Sequence, residues 1–100
     1  MKLRIKYNVG NWIMWGYAGK VRYPFVLFRD SQNRVSDKLF RHELEHVYQI
    51  QREGVLKFYA KYLWYLVRRG YKNVPYEIEA RAKARTPLTI DERKLKDSSA

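Results

Sequence analysis

Both histidines of this 100-residue chain fall within one helical turn, Arg41-His42-Glu43-Leu44-Glu45-His46, and no other run constrains the fold as tightly. Four residues along an α-helix advance about 400°, so the two imidazoles leave one face about 6 Å apart along the axis. At that separation they can close on a single Zn²⁺ with bonds of roughly 2.0–2.1 Å. Glu43 lies about 100° round the helix, placed to reach a water on such a metal rather than to ligate it. The H-E-x-x-H spacing therefore predicts a helix that carries a metal site and an adjacent base. The bland reading is two surface histidines and a solvated carboxylate, and the rest of the chain has to choose between them.

Composition narrows the choice. Residues 1–100 suffice for one domain and no second core, and 46% hydrophobic with 16% aromatic content predicts a packed globule. The chain has no cysteine, so thiolate sites and disulfide scaffolds are excluded and metal ligands must be imidazole or carboxylate. The start, Met-Lys-Leu-Arg-Ile-Lys, is basic, but Asn8, Gly10 and Asn11 break the apolar stretch a signal peptide needs. No run approaches the roughly 18 apolar residues of a membrane span. A soluble cytoplasmic protein is the expectation.

The net charge is +11, from 21 Lys and Arg against 10 Asp and Glu. Four of those acids, Glu43, Glu45, Glu77 and Glu79, cluster in two segments, leaving the remaining surface more basic still. Such a field favours an anionic partner, whether nucleic acid, membrane or acidic protein. It serves equally to keep an aromatic-rich domain in solution. Oligomeric state is not legible.

Along the chain, Lys2 to Tyr7 alternates basic and apolar residues, the period of a half-buried strand. Trp12–Trp15 is a second short strand candidate among turns at Gly10, Gly16 and Gly19. Lys20 to Phe28 is rich in β-formers, and Pro24 within it points to an edge strand. Asp30 to Arg34 reads as a polar turn. Ser36 caps a helix over 36–53 whose face is Leu39, Phe40, Leu44, Val47 and Ile50, stopped by Gly54. A second helix fills 55–69, with an inward stripe expected from Leu56, Tyr59, Leu63, Leu66 and Val67. Phe58, Tyr62, Trp64 and Tyr65 spread apolar surface nearly all round it, and Lys57, Lys61, Arg68 and Arg69 add an interfacial character. Tyr71 to Val74 reads as a loop, and Pro75 opens a third helix over 75–86. Residues 87–100 form a basic tail, either a short helix from Thr89 or a mobile end. The fold class expected is α+β, short N-terminal strands packed on three helices.

Two histidines bind zinc weakly, and catalytic sites use three protein ligands plus an open position. With no further His and no Cys, the third must be a carboxylate, and Glu77 or Glu79 heads the third helix.

The segments Arg41 to Gln49 and Asn73-Val74-Pro75-Tyr76-Glu77-Ile78-Glu79-Ala80-Arg81 resemble the small gluzincins. These are single-domain zinc metallopeptidases whose glutamate ligand stands on a second helix, often within E-x-E-A. The resemblance covers about residues 20–81. It implies Zn²⁺ held by His42, His46 and Glu77, with Glu79 the alternative ligand, Glu43 as general base, and a peptide or protein substrate. Tyr71 and Tyr76 are the candidates to donate a hydroxyl to an oxyanion, against a packing role for each. Glu79 has a structural alternative, an ion pair with Arg81 or Lys83. Many relatives carry Asp where this chain has Arg81, there to accept the N–H of a ligating imidazole. A backbone carbonyl or Glu45 would have to substitute. The competing function is a zincin-like basic binding module with little or no hydrolytic activity.

Overall fold

The computed structural model describes residues 3–10 and 17–98, and the strand expected at Trp12–Trp15 lies outside them. The fold is α+β. Strands β1 (Arg4–Lys6), β2 (Gly19–Arg22) and β3 (Phe25–Phe28) precede helices α1 (Asp37–Glu53), α2 (Val55–Arg69), α3 (Pro75–Lys83) and α4 (Ile90–Ser98). The sheet order is β1-β3-β2, with β1 parallel and β2 antiparallel to β3. In β1 the alternation works as expected: Ile5 is buried between exposed Arg4 and Lys6.

The Lys20 to Phe28 run is a hairpin rather than one edge strand. Tyr23 and Pro24 make its turn, where a missing N–H costs the ladder nothing. The Pro24 carbonyl still accepts the Arg4 N–H at 2.9 Å. β3 thereby becomes the central strand and β2 an edge. Short 3₁₀ turns occupy Gln32–Arg34 and Tyr71–Asn73, where a polar turn and a loop were expected.

Ser36 Oγ accepts the Leu39 N–H at 3.1 Å and starts α1. Gly54, at φ 92°, ends it and leads directly into α2. Phe40, Leu44, Val47 and Ile50 are at most 1% exposed and pack with Val21, Val26 and Phe28 of the sheet. Each such burial contributes roughly 1.5–3 kcal/mol. Rings stack from Tyr7 through Phe28 to Phe40 at 5.5 and 5.6 Å. The opposite side of α1 is left to α3, and that contact forms the site.

α2 turns differently from the expected stripe. Leu56, Leu63 and Val67 face solvent, while Phe58 is buried with Tyr59 and Tyr62 packed against the core. A helix apolar nearly all round offers no single period to follow. Aromatic contacts decide instead, since Tyr76 of α3 meets Phe58, Tyr62 and Tyr65 at 4.7, 6.3 and 6.4 Å.

The basic tail contains a helix docked on the back of α1. Thr89 Oγ1 accepts the Glu92 N–H at 3.2 Å and Glu92 Oε1 accepts the Thr89 N–H at 2.9 Å, a reciprocal cap. Arg41 pairs with Glu92, and the Tyr48 hydroxyl donates to Glu92 Oε2 at 2.6 Å. Asp37 accepts from Arg93 and from Lys96. Among the described residues no helix is long and apolar enough to cross a membrane.

Candidate metal centre

His42 and His46 leave α1 on the face turned to α3, where Pro75 at the first helical position sets Glu77 in the opening turn. His42 Nε2 and His46 Nε2 lie 3.1 and 3.2 Å from the same oxygen, Glu77 Oε1. Atoms bonded tetrahedrally at zinc distances stand roughly 3.3–3.4 Å apart. Two imidazoles and one carboxylate are also the hard-to-borderline donor set zinc accepts, with one position left open. The residues fit the ion. His46 and Glu77 are buried, and His42 is partly so.

Protons follow from the hydrogen bonds. The Gln49 amide nitrogen donates to Tyr76 O at 3.0 Å and to Glu79 Oε1 at 2.9 Å. Its oxygen must therefore accept from His46 Nδ1, 2.9 Å away. That fixes the His46 tautomer and leaves Nε2 to face Glu77. Tyr62 donates to the other Glu77 oxygen, Oε2. Burial opposes charge on Glu77, but His42, His46 and Tyr62 outweigh it and hold the carboxyl well below its usual range. Burial likewise lowers His46, and the hydrogen bond and charge of Glu77 reverse this to a net rise.

Glu43 is 7% exposed beside this cluster. Burial raises its carboxyl, the neighbouring imidazoles pull it back, and Glu77 pushes it up again. Gly19 of β2 makes room for it: a Cβ there would stand 2.9 Å from Glu43 Cγ. A cleft of about 470 Å³ opens above, between the β2 edge and Phe58, Tyr59, Tyr62 and Leu66 of α2, with Glu43, His46 and Glu77 at its base.

No family model matches the chain, and no curated protein or solved structure is significantly similar to it. The resemblance to gluzincins accordingly rests on the two sequence segments alone.

The cluster's geometry separates the remaining candidates. Glu79 points away from the imidazoles and pairs with Arg52 at 2.8 Å, not with Arg81 or Lys83. Glu45 does not accept from either imidazole; its Oε2 lies 3.9 Å from Arg52 with no hydrogen-bond partner among the described residues. Arg81 donates to the Lys72 carbonyl, outside the cluster. Tyr76 donates to Glu53, so its hydroxyl is not directed to the metal position. Tyr71 lines the cleft with Glu43 and Glu77, and burial followed by these two charges pushes its hydroxyl up to about 12.

Three functional neighbours escaped the sequence reading. Gln49 sits three residues after His46 on the same helix face, a signal that was available. Tyr62, four residues after Phe58, shares its face, but which side of α2 turns inward is set by distant residues. Gly19 had no local signal beyond being glycine in a turn-rich stretch.

Proposed function

We propose that the chain is a zinc-dependent peptidase. The observation that carries this is the meeting of His42, His46 and Glu77 at one point, with Glu43 buried alongside at the base of a cleft bounded by a strand edge. A bound Zn²⁺ would act as a Lewis acid and lower the pKa of its water to about 7.

Glu43 is the proton carrier: its carboxylate would take a proton from the water that adds to the scissile carbonyl and deliver it to the amine as the C–N bond breaks. The β2 edge, Gly19–Arg22, can hold a peptide extended by adding it as a further strand. Lys20 and Arg22 line the same cleft and favour acidic side chains on that peptide. Tyr71, protonated at neutral pH, can donate to the carbonyl oxygen as negative charge develops there. Tyr62 and Gln49 hold Glu77 and His46 in position.

Zinc per chain, measured for wild type, Glu77→Ala and Glu79→Ala, tests the ligand set, and cleavage of an unfolded protein by Glu43→Gln tests the base. Expected are one zinc in wild type and Glu79→Ala, loss in Glu77→Ala, and a zinc-loaded Glu43→Gln slowed roughly 10²–10⁴-fold. Undiminished cleavage by Glu43→Gln rejects the base. Salt-sensitive binding to nucleic acid that a chelator leaves unchanged, with no cleavage, favours the basic binding module.

A further inference from the structure

α2 turns an apolar stripe to solvent. Leu56, Leu63, Trp64 and Val67 are 87, 60, 59 and 76% exposed. With Ala60 they fall in an arc about 100° wide, the width a helix ordinarily buries in a core. Scattered exposed leucines need no explanation, whereas a contiguous stripe marks a contact surface.

The charge beside the stripe is of one sign. α2 carries Lys57, Lys61, Arg68 and Arg69 and no acidic residue. Lys57, Arg68 and Lys61 run along one flank, about 100–140° round from Leu56. The Arg68 guanidinium lies over the Trp64 ring at 5.0 Å, and Lys61 is ion-paired with Glu53 at 2.9 Å.

We propose that this face is a docking surface for an anionic lipid bilayer, with α2 lying in the headgroup plane. An apolar arc enters the acyl boundary while flanking cations stay among anionic headgroups, and tryptophan favours that depth. The other occupants match less of the surface. Nucleic acid would use the cations and leave four large apolar side chains in water. A second copy packed antiparallel across a two-fold axis would set Lys57 against Arg68 of that copy, cation on cation. Protein interfaces are depleted in lysine, which here edges the stripe. On its opposite flank the helix presents Tyr59 and Leu66 to the cleft, so docking would leave the cleft mouth near the bilayer surface.

Co-sedimentation of the chain with phosphatidylcholine vesicles, with and without a quarter phosphatidylglycerol, tests the proposal. Expected is binding to the anionic vesicles that added salt weakens, and little to the neutral ones. Lys57→Gln and Arg68→Gln should each weaken it about fivefold. Leu63→Glu/Val67→Glu should abolish it while circular dichroism stays unchanged, because both side chains are exposed. Equal binding to both vesicle types, or none to either, overturns the proposal. So does capture of polyglutamate in place of vesicles, or a wild-type oligomer that Leu63→Glu/Val67→Glu dissociates.

Discussion

His46 Nδ1 stands 2.9 Å from Gln49 Oε1, less than one turn further along the same helix. Gln49 in turn holds Glu79, which Arg52 fixes at 2.8 Å. The second acceptor that Arg81 cannot supply is thus a neutral amide on α1 itself. It is braced by an ion pair at the surface.

Gln49→Leu removes that acceptor and leaves a buried imidazole N–H unpaired. Zinc affinity should fall roughly 10–100-fold, read by competition against a chromophoric chelator. Glu79→Ala should fall less, since Gln49 retains its bond to the Tyr76 carbonyl. Wild-type affinity in Gln49→Leu would remove Gln49 from the site.

On the proposed reading, protons would compete with zinc at His46. Its pKa lies above the ordinary 6.5, because Glu77 outweighs burial, so affinity should begin to weaken at a higher pH than for an ordinary histidine as pH falls. The metal-free chain shows the reverse sign in stability. A raised histidine stabilises fully below its unfolded pKa and loses that contribution as pH rises through the folded one. Glu43, raised by burial, acts in the same direction. Melting of the chelated protein should therefore drop from pH 6 to 8, and zinc-loaded protein should not follow it. Parallel curves would contradict both assignments.

Tyr62→Phe frees Glu77 Oε2 while keeping the ring that packs on Phe58 and Tyr76. A hydrogen bond to a charged, buried oxygen is worth about 1.5–3 kcal/mol. The loss should appear as roughly tenfold weaker zinc binding or more, with circular dichroism unaltered. No change would show that Glu77 needs no second contact.

Gly19→Ala should act on Glu43 alone among the site residues. Its Cβ would come within 2.9 Å of Glu43 Cγ and 3.2 Å of Cδ, displacing the carboxylate but no metal ligand. Expected is a kcat lowered roughly 10–100-fold at unchanged zinc content. A full-rate variant would mean that the edge strand yields instead.

The sequence carried the site further than it carried the packing. His42, Glu43 and His46 share one turn, so local helical geometry alone brings them together, and Pro75 marks where the glutamate helix begins. Glu77 and Glu79 could not be separated locally, because that choice depends on how α3 crosses α1. The stripe expected on α2 differs from the buried one for a related reason: with apolar side chains on every side, its inward face is chosen by Tyr76 and Glu77, which are distant in sequence. Pro24 looks like a strand residue in the sequence because β-formers flank it on both sides. The tail has no local signal that docks it, because its anchors, Asp37, Arg41 and Tyr48, lie some 45–60 residues away.

Those anchors predict how α4 leaves α1. Arg93 and Lys96 hold the Asp37 carboxyl down to about 2. Glu92 is opposed by burial, yet the Thr89 N–H and Tyr48 hydroxyl bring it below its ordinary 4.5. Lowered acids stabilise above their unfolded pKa and lose that contribution as pH falls through the folded value. Amide exchange in α4 should therefore accelerate below pH 4 before exchange in the core of α1 does. The two acids differ in weight. Glu92 and Arg41 are 6 and 13% exposed, so Glu92→Ala leaves a partly buried cation with only Thr86 as partner among the described residues and should cost about 3 kcal/mol in urea unfolding. Asp37 is 47% exposed, and Asp37→Asn should cost far less. A larger loss for Asp37→Asn than for Glu92→Ala would place the main attachment of α4 at Asp37 instead.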